Sequence, residues 1–292
     1  MQSKKILFLG YGDLAARTAA ILPEYQKVGV ARSLKPRAAD VEFRQGGADS
    51  PEVLEWLAKT AFDAVVVTLT PAEHSAEAYA RTYVETMKHL LPVWQECTPG
   101  LVVFVSSTSV YHQNSGEWVD EASPTQPDHF SGQILLQAES LLISSGLPVC
   151  IVRFAGIYGP GRDFLLRQVR AGRGGSPAYT NRIHAEDCAG VLAHLLRQHF
   201  VGKTSETIYL GCDSSPARGS EVRRWLAEQI GVDPNSLAID TDISANARGG
   251  NKRCSNRRLL NSGYNFLYPS YREGYGVLLD SGELDSSSGS VS

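Results

Sequence analysis

The chain has 292 residues, 42% of them hydrophobic and 20% charged, with a formal net charge of −3. This length and balance fit one large core or two unequal domains, and exclude a stapled miniprotein or a disordered chain. The slight acidity, with no long basic block, argues against nucleic acid or an anionic membrane as main partner.

Apolar runs rich in β-branched and aromatic residues recur along the chain. They are KILFLG (5–10), KVGVA (27–31), FDAVVVTL (62–69), LVVFVSS (101–107), VCIVRF (149–154) and ETIYLG (206–211), and they read as strands. Nearly continuous apolar character suits a parallel sheet covered on both faces. Helical patterns lie between them at 13–22, 51–59, 72–95, 131–145, 185–198 and 219–230; PEVLEWLAK opens with a proline in its first turn. The alternation predicts an α/β fold, a Rossmann-type doubly wound parallel sheet with ligands at the carboxyl ends of its strands. The pattern loosens after residue 156. The reading is a dinucleotide-binding domain over 1–156, rejoined by 182–212, and a small discontinuous C-terminal substrate domain over 157–181 and 213–280. SGELDSSSGSVS (281–292) reads as a disordered tail.

No stretch approaches the roughly 18 apolar residues of a membrane span. MQSKKILFLG enters a strand without a leader's long apolar segment and cleavage site. Five scattered cysteines form no C-x-x-C or Cys/His cluster, so no metal site is expected; Cys150 and Cys188 lie in apolar runs and read as buried free thiols. A reducing cytoplasm is the expected location.

ILFLGYGDLAARTAAIL is strand, turn and helix. Gly10, Gly12 and Ala15 give G-x-G-x-x-A: the first glycine permits a tight turn, the second a close approach of pyrophosphate, and the third position a small residue for packing helix on strand. Geometry alone could also require these glycines, but the strand–turn–helix context favours dinucleotide binding. About 20 residues on, a ribose-binding carboxylate is expected. The sequence there is VGVARSLKP, with Arg32, Ser33 and nearby Lys35 and no acid. A guanidinium suits a 2′-phosphate, so NADP(H) is expected in preference to NAD(H).

Read together, GYGDLA, SSTSVY, AESLL, RFAGIYGPGR, NRIHAEDCAGVL and YPSYREG resemble the extended short-chain dehydrogenase/reductase superfamily, the NAD(P)-dependent epimerase/dehydratase group. The resemblance spans about 5 to 280, and the glycine pattern is more similar to atypical subfamilies. It implies an oxidoreductase or epimerase-like activity on a small, sugar-like or polyol metabolite. Its cofactor contacts would be Gly10, Gly12, Asp13, Leu14 and Ala15 at the pyrophosphate, Arg32 at the 2′-phosphate, and Asp49 at the adenine amine. Thr68, Leu69 and Thr70 would pass beneath the adenosine ribose, and Phe154 and Gly156 would lie at the nicotinamide end. For Asp49 a helix-terminus role can hold alongside the adenine contact, and for Phe154 and Gly156 packing and turn geometry serve equally. Family members often dimerise through helices equivalent to 72–95 and 131–145, which allows a homodimer here.

Active members pair a Ser or Thr with Tyr-x-x-x-Lys on the next helix. The lysine lowers the tyrosine pKa so that a phenol near 10 can act near neutrality. Ser107 falls on the hydroxyl position. Anchoring DHFSGQILLQAESLL on Glu139 places the tyrosine slot at Ser131 and the lysine slot at Leu135, and no tyrosine or lysine lies between Tyr111 and Tyr158. Three readings stay open. One is an enzyme with a relocated acid/base among Tyr111, His112, His129, Tyr158, Tyr179 and His184. Another is a catalytically silent NADP(H)-binding sensor or scaffold. The third is a site for non-redox chemistry on a sugar nucleotide, with Arg162 and Arg182 meeting phosphate or carboxylate. For each named residue an ordinary packing or surface role competes.

Overall fold

A computed structural model describes residues 3–34, 39–203, 206–240 and 250–281. Its centre is a seven-stranded parallel sheet of β1 (Lys5–Leu9), β2 (Gln26–Ala31), β3 (Val41–Gln45), β4 (Ala64–Val67), β5 (Val102–Ser107), β6 (Val149–Phe154) and β7 (Ile208–Gly211). The order across the sheet is β7-β6-β5-β4-β1-β2-β3. Ile6 to Leu9 and Ala64 to Val67 are wholly buried, as a sheet covered on both faces demands. The connections run opposite ways from β1 and β4, which makes the ends of these two neighbours the topological switch point.

Helices Asp13–Ala20, Pro51–Ala58, Phe130–Ser144, Ala185–Phe200 and Gly219–Gln229 match the sequence periodicity to within a few residues. Two differences have physical causes. β3 was absent from the expected strands because VEFRQ carries polar residues and is mostly half-buried or exposed at the sheet edge. The helix expected at 72–95 begins at Ala76 and is not uniform: α-helical Ala76–Tyr79 passes into π-helical Ala80–Glu85 and then α-helical Thr86–Glu96.

The chain forms two compact units. The first comprises Met1–Val110, Thr125–Arg153 and Ala189–Tyr209. Within it, a buried ion pair ties helix Phe130–Ser144 to the sheet. Arg153 on β6 donates to both oxygens of Glu139, with Nη2 2.6 Å from Oε2, and the Ser106 hydroxyl on β5 donates to Oε1 at 2.6 Å. The same helix approaches the exit of β5 so closely that a Cβ on Gly132 would lie 2.3 Å from the Ser109 carbonyl oxygen.

The second unit comprises Tyr111–Pro124, Phe154–Cys188 and Leu210–Ser292. Its core packs Leu166, Val169, Val222, Leu226 and Leu278 with Tyr158, Tyr271 and Tyr275. Strand Lys252–Cys254 pairs in parallel with Glu117–Val119, and Asn181 bonds both the Lys252 carbonyl and the Cys254 N–H. Buried Asp187 accepts from Tyr264 Oη (2.8 Å), Leu267 N (2.8 Å) and Tyr268 N (3.0 Å), fixing the loop ahead of YPSYREG. The five cysteines are free, and Cys150 and Cys188 are buried as expected. Among the described residues no helix is long and apolar enough to cross a membrane, and no cluster has metal-ligand composition. The tail expected at 281–292 lies outside the described residues beyond Ser281, and so does Lys35.

Candidate functional site

The switch point of the first unit opens into a cavity of about 340 Å³. Its floor is the crossing of two chain turns. Gly10 and Tyr11 both donate backbone N–H bonds to the Val30 carbonyl, at 3.0 and 2.8 Å, and Thr68 Oγ1 donates to the Gly10 carbonyl at 2.9 Å. Gly10 has φ +87°, and a Cβ there would lie 2.9 Å from the Thr68 carbonyl and the Leu69 nitrogen, so only glycine fits. Tyr11 turns down into the core, edge-on to Phe8 and Phe43. Its ring lies over Gly29, whose Cβ would be 2.5 Å from Tyr11 Cδ2.

Gly12 differs. It has extended backbone (φ −107°, ψ −160°) that any residue adopts, and a Cβ there would meet nothing nearer than the Gly10 carbonyl at 3.8 Å. Neither conformation nor neighbours require glycine at 12. It precedes helix Asp13–Ala20 without a side-chain cap, where N–H groups and the helix dipole favour an anion. A glycine that neither backbone nor packing requires, immediately ahead of a helix start, fits the phosphates of a dinucleotide.

The cavity brings together Gly10, Gly12, Arg32, Asp49, Thr68, Leu69 and Thr70, seven of the residues expected from the sequence. Asp13, Leu14 and Ala15 follow on the helix: Asp13 pairs with Arg17 at 2.9 Å, and Ala15 is fully buried, as the packing role of the third motif position asks. Asp49 Oδ2 lies 3.4 Å from Thr86 Oγ1 and 3.6 Å from His89 Nδ1. Arg32 is exposed at the end of β2, where no carboxylate stands. Arg81, Thr82 and Thr86 also line the cavity. Sequence reasoning missed them because their facing follows from the π-helical turn, which a 3.6-residue pattern does not show.

Ser107 ends β5, and its Oγ accepts the Ser109 N–H at 3.1 Å, leaving the hydroxyl proton to donate elsewhere. On the helix beyond, Leu135, which the sequence alignment on Glu139 assigns to the lysine slot, is buried at 5% exposure. Glu139, the anchor of that alignment, is consumed by the ion pair with Arg153.

Of the remaining candidates, His129 stands at the start of helix Phe130–Ser144 in the first unit, and the others lie in the second unit. Tyr111 is buried, and its carbonyl accepts from buried Lys252 Nζ at 3.0 Å; burial lowers the Lys252 pKa. Tyr158 stacks on Tyr275 (4.5 Å between centroids) and meets His184 edge-on at 5.2 Å. Burial, and then Asp213, push its phenol well above the ordinary range, so it stays protonated through neutrality. His184 Nδ1 accepts the Glu186 N–H at 3.2 Å at the start of helix Ala185–Phe200, so a neutral ring carries its proton on Nε2. Arg182 is buried, donates to Thr180 Oγ1 and sits 5.3 Å over the Tyr271 ring, and its Nη1 has no hydrogen-bond partner among the described residues. Asp213, also buried, has its carboxyl raised to about 7 by burial, with Arg182 pulling the opposite way. Arg162 sits at the Gly159 turn, its N–H bonded to the Gly159 carbonyl. Phe154 packs on Gly211, where a Cβ would come within 2.3 Å of its ring, and exposed Gly156 donates to the Asn181 carbonyl.

A seven-stranded parallel sheet with a glycine turn at its switch point defines a dinucleotide-binding α/β protein. The model of the NAD-dependent epimerase/dehydratase family matches residues 16–211, and the chain belongs to that family. Protein YeeZ of Escherichia coli K12 is 30% identical over 213 residues, 71% of this chain and 72% of its own. A protein of Methylobacillus flagellatus assigned to the NAD-dependent epimerases/dehydratases is similar in structure, with TM-score 0.79 and 34% identity over 96% of this chain and 99% of its own. DesIV, a dTDP-glucose 4,6-dehydratase from Streptomyces venezuelae solved with NAD bound, shares the fold at TM-score 0.77 and 17% identity, covering 97% and 98% of the two chains.

Proposed function

We propose that the chain binds NADP(H) in the switch-point cavity and acts as an epimerase/dehydratase-like oxidoreductase on a small, sugar-like or polyol metabolite, which the second unit takes up. One observation carries the reading: neither backbone nor neighbours require glycine at 12, and this residue immediately precedes helix Asp13–Ala20. Arg32 at the end of β2, with no acid beside it, supports the phosphorylated nucleotide, because a carboxylate there would repel a 2′-phosphate. NAD in the structure of DesIV supports the cofactor class.

When bound, the nicotinamide supplies hydride transfer. In this reading the glycine turn takes the pyrophosphate, Asp49 the adenine amine, and Thr68 to Thr70 the underside of the ribose. Ser107 donates its hydroxyl proton to a substrate oxygen. Arg182 offers Nη1 to a substrate phosphate or carboxylate, with Arg162 as an outer contact. Without Tyr-x-x-x-Lys, proton delivery falls to a group of the second unit. Tyr111, Tyr158 and His184 are the candidates; because His184 Nδ1 accepts the Glu186 N–H, its Nε2–H is the donor of the ring.

Titration with NADPH and NADH tests this. NADPH binds more tightly, and Arg32→Ala removes most of the difference, about tenfold for a lost charge-assisted phosphate contact. Equal affinities in the unaltered protein sink the NADP assignment. A second reading, a catalytically silent NADP(H) binder, is favoured by Leu135, buried and apolar in the slot of the activating lysine. Loss of NADPH absorbance with aldehydes, ketones or nucleotide sugars supports the enzyme; persistent silence with tight NADPH binding supports the sensor.

A further inference from the structure

A second guanidinium lines the nucleotide cavity. Arg81 is exposed, sits in the π-helical segment Ala80–Glu85, and faces the cavity that Arg32 lines from the end of β2. Neither arginine has a carboxylate partner among the described residues. Among the described residues the one carboxylate lining the cavity is Asp49, which lies near Thr86 and His89.

The helix is built to hold Arg81 there. Two residues on, Tyr83 is buried, its hydroxyl donating to the Leu69 carbonyl at 3.3 Å and its ring edge-on to Phe104 at 6.1 Å. Val84 is buried beside it. The wider π turn lets Tyr83 and Val84 reach the core while Arg81, Thr82 and Thr86 line the cavity, and Thr86 Oγ1 fixes the turn by donating to the Arg81 carbonyl at 3.1 Å. Such π segments within α-helices are frequent at functional sites.

The charge balance asks for a second cation. The pyrophosphate is served by the glycine turn and the helix start. A 2′-phosphate carries nearly two negative charges at neutral pH, and among the described residues of the cavity Arg32 and Arg81 are the cations that face it. We propose that Arg81 is the second ligand of the adenosine 2′-phosphate, so that discrimination between NADPH and NADH is shared by arginines from two walls of the cavity. This rests on the NADP(H) reading above and assigns the share that Arg32 does not carry.

The test is calorimetric titration of the full chain, unaltered and as Arg32→Ala, Arg81→Gln and the double variant, with NADPH, NADH, 2′,5′-ADP and 5′-AMP. Arg81 is exposed, so the single variant keeps its fold, checked by an unchanged unfolding midpoint. The expected result is a loss of about tenfold or more in NADPH and 2′,5′-ADP affinity for Arg81→Gln. NADH and 5′-AMP affinities then stay within about twofold, and the salt dependence of NADPH binding becomes shallower. An equal loss for NADPH and NADH overturns the proposal and places Arg81 on the shared part of the nucleotide. Unchanged NADPH binding in Arg81→Gln with a loss in Arg32→Ala overturns it too, while leaving the NADP(H) reading intact. Equal NADPH and NADH affinities in the unaltered protein defeat the underlying reading instead.

Discussion

Gly10→Ala and Gly12→Ala should separate folding from binding within one turn. At Gly10 the left-handed backbone costs a side chain about 1–2 kcal/mol, and the Cβ would lie 2.9 Å from backbone atoms of Thr68 and Leu69 that cannot move aside. Overpacking of that kind adds roughly 1–3 kcal/mol, so Gly10→Ala loses about 2–5 kcal/mol of stability. At Gly12 the backbone is already extended and the nearest atom is 3.8 Å away. The weaker capping of alanine, up to about 1 kcal/mol, is offset by the reduced freedom of the unfolded chain, about 0.4–1 kcal/mol. Stability is therefore unchanged to within about 1 kcal/mol, whereas nucleotide affinity falls at least about tenfold as the methyl blocks the phosphate. Urea unfolding and nucleotide titration on the same preparations measure both quantities. A Gly12→Ala protein that binds NADPH as well as the parent refutes the placement of phosphate at this helix start.

Two further predictions concern buried charge. Arg153→Met strands the Glu139 carboxylate under helix Phe130–Ser144 and costs about 3–5 kcal/mol; pairing it with Glu139→Leu recovers much of the loss, read from unfolding midpoints. For Asp213, the carboxyl raised to about 7 means that the folded protein holds a proton the unfolded chain releases near pH 4. Stability therefore falls as pH rises from about 4 to about 7 and is level above that. Asp213→Asn removes this decline, so its midpoint relative to the parent improves between pH 5 and pH 8; parallel pH profiles for the two proteins contradict the assignment.

The sheet and the glycine turn were legible in sequence because each sheet strand except β3 has an apolar run at its centre and because G-x-G-x-x-A sits where a strand becomes a helix. β3 escaped because an edge strand needs little apolar character, and VEFRQ has little. Of the cavity, the residues at strand ends were readable, since topology puts them at the switch point whatever their neighbours. Arg81, Thr82 and Thr86 were not: their facing depends on a π turn, which leaves no mark in a pattern read at 3.6 residues per turn. The role of Glu139 in binding Arg153 was hidden for a similar reason, since their pairing depends on how strand and helix pack. The short strands of the second unit were invisible because two or three residues carry no period.

Strand Lys252–Cys254 has a bearing on how the chain is made. It completes a pairing with Glu117–Val119, and Arg253 Nε donates to the Gly116 carbonyl 137 residues earlier. During synthesis, the 117–119 edge and the Asn181 side chain wait for their partner until most of the polypeptide has left the ribosome. Loop closure over that distance slows the step, and the unpaired edge is exposed to other chains meanwhile. A chain stopped before residue 250 keeps every strand of the central sheet yet cannot cover this edge. Fragments ending there should aggregate rather than persist as smaller working proteins.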